Sequence, residues 1–241
     1  YYHPYEDHKV KTLPELLDIY YNSVDRNASL LINFPVDKRE KIHEKDSARI
    51  VQLAETIKAD FAENLVGEKK MEATNTRGNS RKFKVNNTTD NNNKTYWCTD
   101  DEVLSATFTV DLRKPTVFNR FLVQEEISLG QRVKKFSLEA FIDNEWKEIS
   151  SRTTIGRKRI LKFPDDIATK IRLNILDAKA CPAISEIGVF NAPKVIVEPE
   201  IRRNKTGEVT MKGFDSGVDI FYAANGTAPT AKSIKYTDPF F

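Results

Sequence analysis

Ser29-Leu30-Leu31-Ile32-Asn33-Phe34-Pro35 is the stretch on which the reading of the fold turns. An apolar run that stops at a polar Asn and a Pro, then leads into a long segment of helical periodicity, reads as a buried parallel strand feeding its crossover helix. Upstream, Thr12 and Pro14 mark a helix start, and Leu16, Leu17, Ile19, Tyr20 and Val24 supply one apolar side. Downstream, Asp46 is expected to cap a second helix in which Ile50, Leu53, Ala54, Ile57, Phe61 and Leu65 recur at helical spacing until Gly67 stops it. One strand between two helices is not a domain, because a parallel strand needs partners on both edges. With Tyr1-Tyr2-His3 opening the chain, the expectation is a C-terminal segment of a larger enzyme, in which residues 1–67 close an α/β domain.

From Gly67 through Asn93 the chain is polar and aperiodic, which marks a linker at 68–82 and the entry loops of a new domain. The period then changes to two. Thr107-Phe108-Thr109-Val110-Asp111-Leu112, Phe136-Ser137-Leu138-Glu139-Ala140 and Lys170-Ile171-Arg172-Leu173-Asn174-Ile175 alternate polar with apolar, and predict an antiparallel β-sandwich over 83–191. Beyond Asn191-Ala192-Pro193, the runs Val218–Tyr222 and Ser233–Tyr236 flank Asn225-Gly226 and read as a hairpin. Residues 195–241 are set apart as a third segment.

Lys and Arg total 38 against 35 Asp and Glu in 241 residues, a formal +3. That balance does not argue for nucleic acid, which needs a concentrated basic face. The densest basic run, Arg157-Lys158-Arg159, is read as a solvated strand edge. No apolar run approaches the roughly 20 residues of a membrane-spanning helix. Cys98 and Cys181 lack metal-site spacing and are read as buried free thiols in preference to a disulfide. Trp97 and Trp146 sit in strand-like contexts, so core packing is preferred to sugar stacking.

Two resemblances carry the functional reading. The order His3-Pro4-Tyr5-Glu6-Asp7, Lys9-Val10-Lys11, Glu15-Leu16-Leu17-Asp18-Ile19-Tyr20-Tyr21, the Leu-Leu-x-Asn-x-Pro of residues 30–35, and Ile42-His43-Glu44-Lys45-Asp46 resembles the closing part of the catalytic barrel in α-L-fucosidases of glycoside hydrolase family 29. Where that family carries Gly in its turns, this chain has Asp25, Ala28 and Glu40, so those turns are expected to be strained or rebuilt. The second set is Thr89-Asp90-Asn91-Asn92-Asn93-Lys94-Thr95-Tyr96-Trp97, Trp146-Lys147-Glu148-Ile149 and Pro182-Ala183-Ile184-Ser185-Glu186-Ile187-Gly188-Val189-Phe190, which is similar to the discoidin, or coagulation factor 5/8 type C, fold. The final segment resembles the small β-domain at chitobiase and β-hexosaminidase C-termini. The resemblances imply a multidomain chain: the remnant of a (β/α)8 barrel, a discoidin-like jelly roll and a partial β-sandwich.

They also imply an exo-acting, retaining α-L-fucosidase of the bacterial periplasm or exterior that acts on fucosylated glycans. No catalytic cofactor and no nucleic-acid partner are expected. The Asp nucleophile and Glu acid/base would lie upstream, so the segment alone is expected to be inactive. The alternative is a non-catalytic carbohydrate-binding protein. By the barrel resemblance Asn33 falls at the substrate-facing end of the last strand and His3 on a rim loop, which makes both substrate-side candidates, beside the plainer readings of a strand-ending Asn that bonds the loop backbone and an exposed or structurally bonded His. In the discoidin-like segment, Asp90, Asn93, Thr95 and Glu186 match the positions that hold a structural calcium in such domains. Calcium takes six to eight oxygen ligands, while an Asx-rich turn without metal accounts for the loop residues equally well.

Overall fold

The computed structural model describes residues 9–67, 69–92, 94–215 and 218–241. Two compact units divide between Ala192 and Pro193.

The first unit is organised by two strands of 20 residues, β3 (Ala106–Glu125) and β6 (Arg159–Ala178). They run antiparallel to each other, with register shifts between Asp111 and Thr116 and between Phe118 and Arg120. These breaks let one antiparallel pair of strands serve two layers. The early part of β3 pairs with β1 (Lys70–Ala73), and the late part pairs with β7 (Ala183–Phe190). The sheet order is β2-β7-β3-β6-β4-β5, where β2 is Trp97–Cys98, β4 is Val133–Ile142 and β5 is Glu145–Arg152. Alternation puts Phe108, Val110 and Leu112 of β3, Phe136, Leu138 and Ala140 of β4, and Ile171, Leu173 and Ile175 of β6 into one core. Phe118, Phe121 and Val123 reach the same core from beyond the register break. Trp97 is fully buried there, edge-on to Phe108 at 5.9 Å, and its indole N–H donates to Asn75 O at 3.0 Å.

Residues 68–82, expected as a linker, contribute β1 to the sheet: Met71 lies opposite Val110 and is buried, which gives an otherwise polar segment a reason to pair. Trp146 also differs from expectation. It pairs with Phe141 on the outer face, half-buried, with the rings 5.2 Å apart. The neighbours Leu138 and Ala140 already fill the inner face, so the pleat turns Phe141 and its partner outward.

Two helices precede the sheet. α1 (Leu13–Ser23) opens with a reciprocal cap: Thr12 N donates to Glu15 Oε2 at 2.7 Å and Glu15 N to Thr12 Oγ1 at 3.5 Å. α2 (Glu44–Asp60) is capped by His43, whose Nδ1 accepts from Lys45 N at 3.3 Å. Asp46, expected as the cap, lies in the first turn, where a negative charge suits the helix dipole. The helix ends at Asp60, before Leu65 and Gly67. Phe61 instead packs edge-on against Phe190 at 5.1 Å, and Asn64 bonds the β7 backbone, donating to Ile187 O and accepting from Val189 N, each at 3.1 Å.

No strand forms at Ser29–Phe34. That run has no regular secondary structure, and Leu31 is 85% exposed. A parallel strand cannot form alone, and the described residues offer these six none to pair with. The turns around it are rebuilt: φ is 70° at Asn27 and 60° at Glu40, so an Asn beside Asp25 and Ala28 takes the left-handed position, while Glu40 occupies it itself. Asn27 also ties the helical segment to the sheet, accepting from Arg157 N at 2.6 Å. Gly156 permits this contact, since a Cβ there would meet Asn27 Nδ2 at 2.4 Å and its φ is +70°.

The second unit, from Pro193, holds two small antiparallel pairs: β8 (Glu200–Arg203) with β9 (Val209–Lys212), and β10 (Phe221–Tyr222) with β11 (Ile234–Lys235). Asn225-Gly226 is not a two-residue hairpin turn. It lies in the long loop between β10 and β11, where Asn225 Oδ1 accepts from Thr227 N at 3.2 Å and Thr227 Oγ1 at 2.7 Å. Tyr222 stacks on Phe240 at 4.4 Å.

Candidate functional site: two carboxylates at the sandwich edge

The loop before β2 folds on its own side chains. Asp90 Oδ1 accepts from Asn92 N at 3.0 Å, and the Thr95 hydroxyl lies 2.8 Å from Asp90 Oδ2 and 2.9 Å from Asn92 O. Glu186 comes from β7, where the strand pairs it with Gln124 of β3 and leaves it half-buried. The charge of Asp90 is near enough to be felt at the Glu186 carboxyl. Burial first, and then the charge of Asp90, pushes the Glu186 carboxyl up to about 7, against a smaller pull from Lys158.

Thr95 is thus bonded to Asp90, and the Asp90 charge acts on Glu186 from a segment nearly a hundred residues away in sequence. Asn93 and His3 lie outside the described residues. Asn33 is exposed and lines an open hollow with Leu30, Phe34, Arg49 and Ile50, away from the carboxylate pair. Among the described residues no cluster of three His, Cys, Asp or Glu side chains forms a metal centre. A cation here would therefore draw on the hydroxyl of Thr95 and on loop carbonyls as well as the two carboxylates. All these donors are hard oxygens, the set suited to calcium.

Elsewhere, Cys98 and Cys181 are free and buried, and burial pushes the Cys98 thiol up. The Arg172 guanidinium lies 4.0 Å over the Trp146 ring, covering an indole face that a stacking sugar would need. A buried carboxylate escaped the sequence reading. Glu125, 2% exposed, accepts from Arg132 N at 2.7 Å, Val133 N at 2.8 Å and Gly156 N at 2.6 Å, and so pins the β3–β4 turn to the β5–β6 turn. The only signal was a Glu at an inward position of a strand.

Residues 70–187 match the F5/8 type C domain family, and residues 209–241 match the family described as Fn3 associated. Alpha-L-fucosidase 1 of Arabidopsis thaliana is 30% identical over 184 residues, covering 75% of this chain and 36% of that protein. A solved structure of a Bacteroides thetaiotaomicron protein classed as an α-L-fucosidase superposes with a TM-score of 0.77 at 37% identity, covering 81% of this chain and 43% of that one. A Ruminococcus gnavus GH29 fucosidase in complex with fucose gives 0.72 at 32% identity, covering 76% and 37%. The chain spans about a third of the length of the curated relatives it matches (36%). By these matches the chain is a segment of the glycoside hydrolase family 29 fucosidase family.

Proposed function

We propose that the protein carrying this chain is an exo-acting α-L-fucosidase that removes terminal α-L-fucose from glycans with retention of configuration. The observation that supports this is the extent of the match: at 81% of the chain it exceeds the sandwich, as expected for an enzyme's own domain rather than a separable lectin. Retaining hydrolysis uses two carboxyl groups about 5 to 5.5 Å apart, one as nucleophile and one as acid/base. Both would be supplied upstream of Tyr1, and residues 1–67 would form the end of the barrel that carries them. The unpaired run Ser29–Phe34 and the apolar hollow beside it fit a strand whose neighbours are elsewhere in the protein. A periplasmic or secreted location goes with this reading.

Within the sandwich, Asp90, Asn93, Thr95 and Glu186 would hold calcium, in a structural role remote from catalysis. The metal would offset the burial and the Asp90 charge that together raise Glu186.

The test of activity uses nitrophenyl α-L-fucoside. Residues 1–241 should release no nitrophenol, whereas the chain extended upstream through a complete barrel should release it with retention. Activity of the 241 residues alone would displace the catalytic pair. Inactivity of the folded, extended protein toward every fucoside would overturn the reading.

A further inference from the structure

Where the segment after α1 lies along the start of β6, three guanidinium groups gather about one carboxylate. Arg26 and Arg159 face each other across an isolated antiparallel bridge, and Asp25 O accepts from Ile160 N at 3.3 Å. The Asp25 carboxyl feels Arg159, Arg26 and Arg152, yet burial outweighs them and raises it. Its closest ion-pair contact is loose: Arg26 Nε lies 3.9 Å from Oδ1, and that buried oxygen accepts no hydrogen bond.

The guanidiniums spend their donors on neutral groups. Arg26 Nη2 donates to Asn22 Oδ1 at 2.9 Å, Arg152 Nη1 to Ser151 O at 2.7 Å, and Arg159 Nε and Nη2 to Thr154 O and Oγ1 at 2.9 and 3.0 Å. Each keeps further N–H groups for a ligand. One negative charge therefore stands against three positive ones, and mutual repulsion from Arg152 and Arg26 adds to burial in lowering the Arg159 guanidinium. The basic run at 157–159 contributes Arg159 to this cluster and places exposed Arg157 beside it. Arg26 is 65% exposed and Arg152 is exposed, so the cluster is open to solvent.

We propose that Arg26, Arg152 and Arg159 form a binding site for an anionic group on a glycan, either a sulfate ester or a carboxylate. Guanidinium matches the planar or trigonal oxygens of both through paired N–H donors. The three arginines share one carboxylate neighbour, Asp25, and do not form a stripe along which a nucleic-acid backbone would track. Only the choice of a glycan as carrier rests on the fucosidase reading; the anion site rests on the charges.

Native affinity electrophoresis of the 241-residue chain tests it, in gels containing dextran sulfate, hyaluronan, neutral dextran or duplex DNA. Retardation by dextran sulfate alone identifies sulfate, and by hyaluronan alone carboxylate; neutral dextran should have no effect. Arg26→Gln with Arg152→Gln, both exposed, should weaken retention about tenfold, the worth of one charge-assisted hydrogen bond. The same charge removed from the second unit, Arg202→Gln with Arg203→Gln, should leave it unchanged. The proposal falls if neither anionic glycan retards the chain, if both double variants lose equally, or if DNA retards it as strongly. Fucoside hydrolysis by the extended protein is scored separately, so loss of anion binding with activity retained sinks this site and spares the enzyme reading.

Discussion

Arg120 Nε donates to the hydroxyl of Tyr21 at 3.1 Å, and so fastens a buried strand residue of the sandwich to α1. The same hydroxyl donates to Asp60 Oδ2 at 2.5 Å, at the end of α2, and the Arg120 guanidinium lies 5.1 Å from the centre of the Tyr21 ring. Arg120 is 4% exposed and Asp60 2%, so a cation and an anion are held in the interior with a phenol between them. Burial pushes the Tyr21 phenol well above its ordinary range, keeping it protonated to serve as that bridge.

Tyr21→Phe should therefore destabilise the first unit by about 1–3 kcal/mol, because the ring still packs while two buried charged groups lose a partner. Urea unfolding followed by tryptophan fluorescence measures it, since Trp97 lies in the core. A loss under about 0.5 kcal/mol, the scale of an indifferent surface change, would show that the bridge contributes nothing.

Calcium should raise the melting temperature of the chain, and chelator should lower it. A ligand that binds the folded state alone stabilises with the logarithm of its free concentration over the dissociation constant. Glu186→Ala should remove the response to both. Identical melting of the unmutated chain with calcium and with chelator would dispose of the site.

Glu186 also sets a pH dependence. Its folded-state carboxyl titrates near 7, above its ordinary 4.5. Between those values the folded chain holds a proton that the unfolded chain has lost, so metal-free stability is fully present below about 4.5 and declines as pH rises through about 7. Glu186→Gln should flatten that decline, and so should calcium, by occupying the ionised form. Thermal melts in chelator from pH 5 to 8 report this; a slope identical in Glu186→Gln would rule the residue out as its source.

Glu125→Ala should cost more than ordinary surface changes, because three backbone N–H groups would lose their acceptor. Each buried unsatisfied donor costs about 1–3 kcal/mol. Hydrogen exchange should show faster loss of protection at Arg132, Val133 and Gly156 in the variant, and unchanged protection there would contradict the role assigned to the carboxylate.

Local signals written in the chain were legible beforehand. The Thr12-Pro14 helix start and the period-two runs in β3, β4 and β6 each follow from residues near in sequence, and each appears where it was expected. What the sequence could not settle is anything that depends on a partner. Leu30–Phe34 has the composition of a parallel strand, yet hydrogen bonding between strands takes two, and the described residues hold no mate for it. Trp146 sits in a strand-like context, but only the register of β4 against β5 decides which face it joins. The convergence of Asp25, Arg26, Arg152 and Arg159, like the burial of Arg120 beside Tyr21 and Asp60, joins segments far apart in sequence. Composition counts those charges; only tertiary structure, by removing them from water and setting them side by side, decides which are neutralised and which stay available.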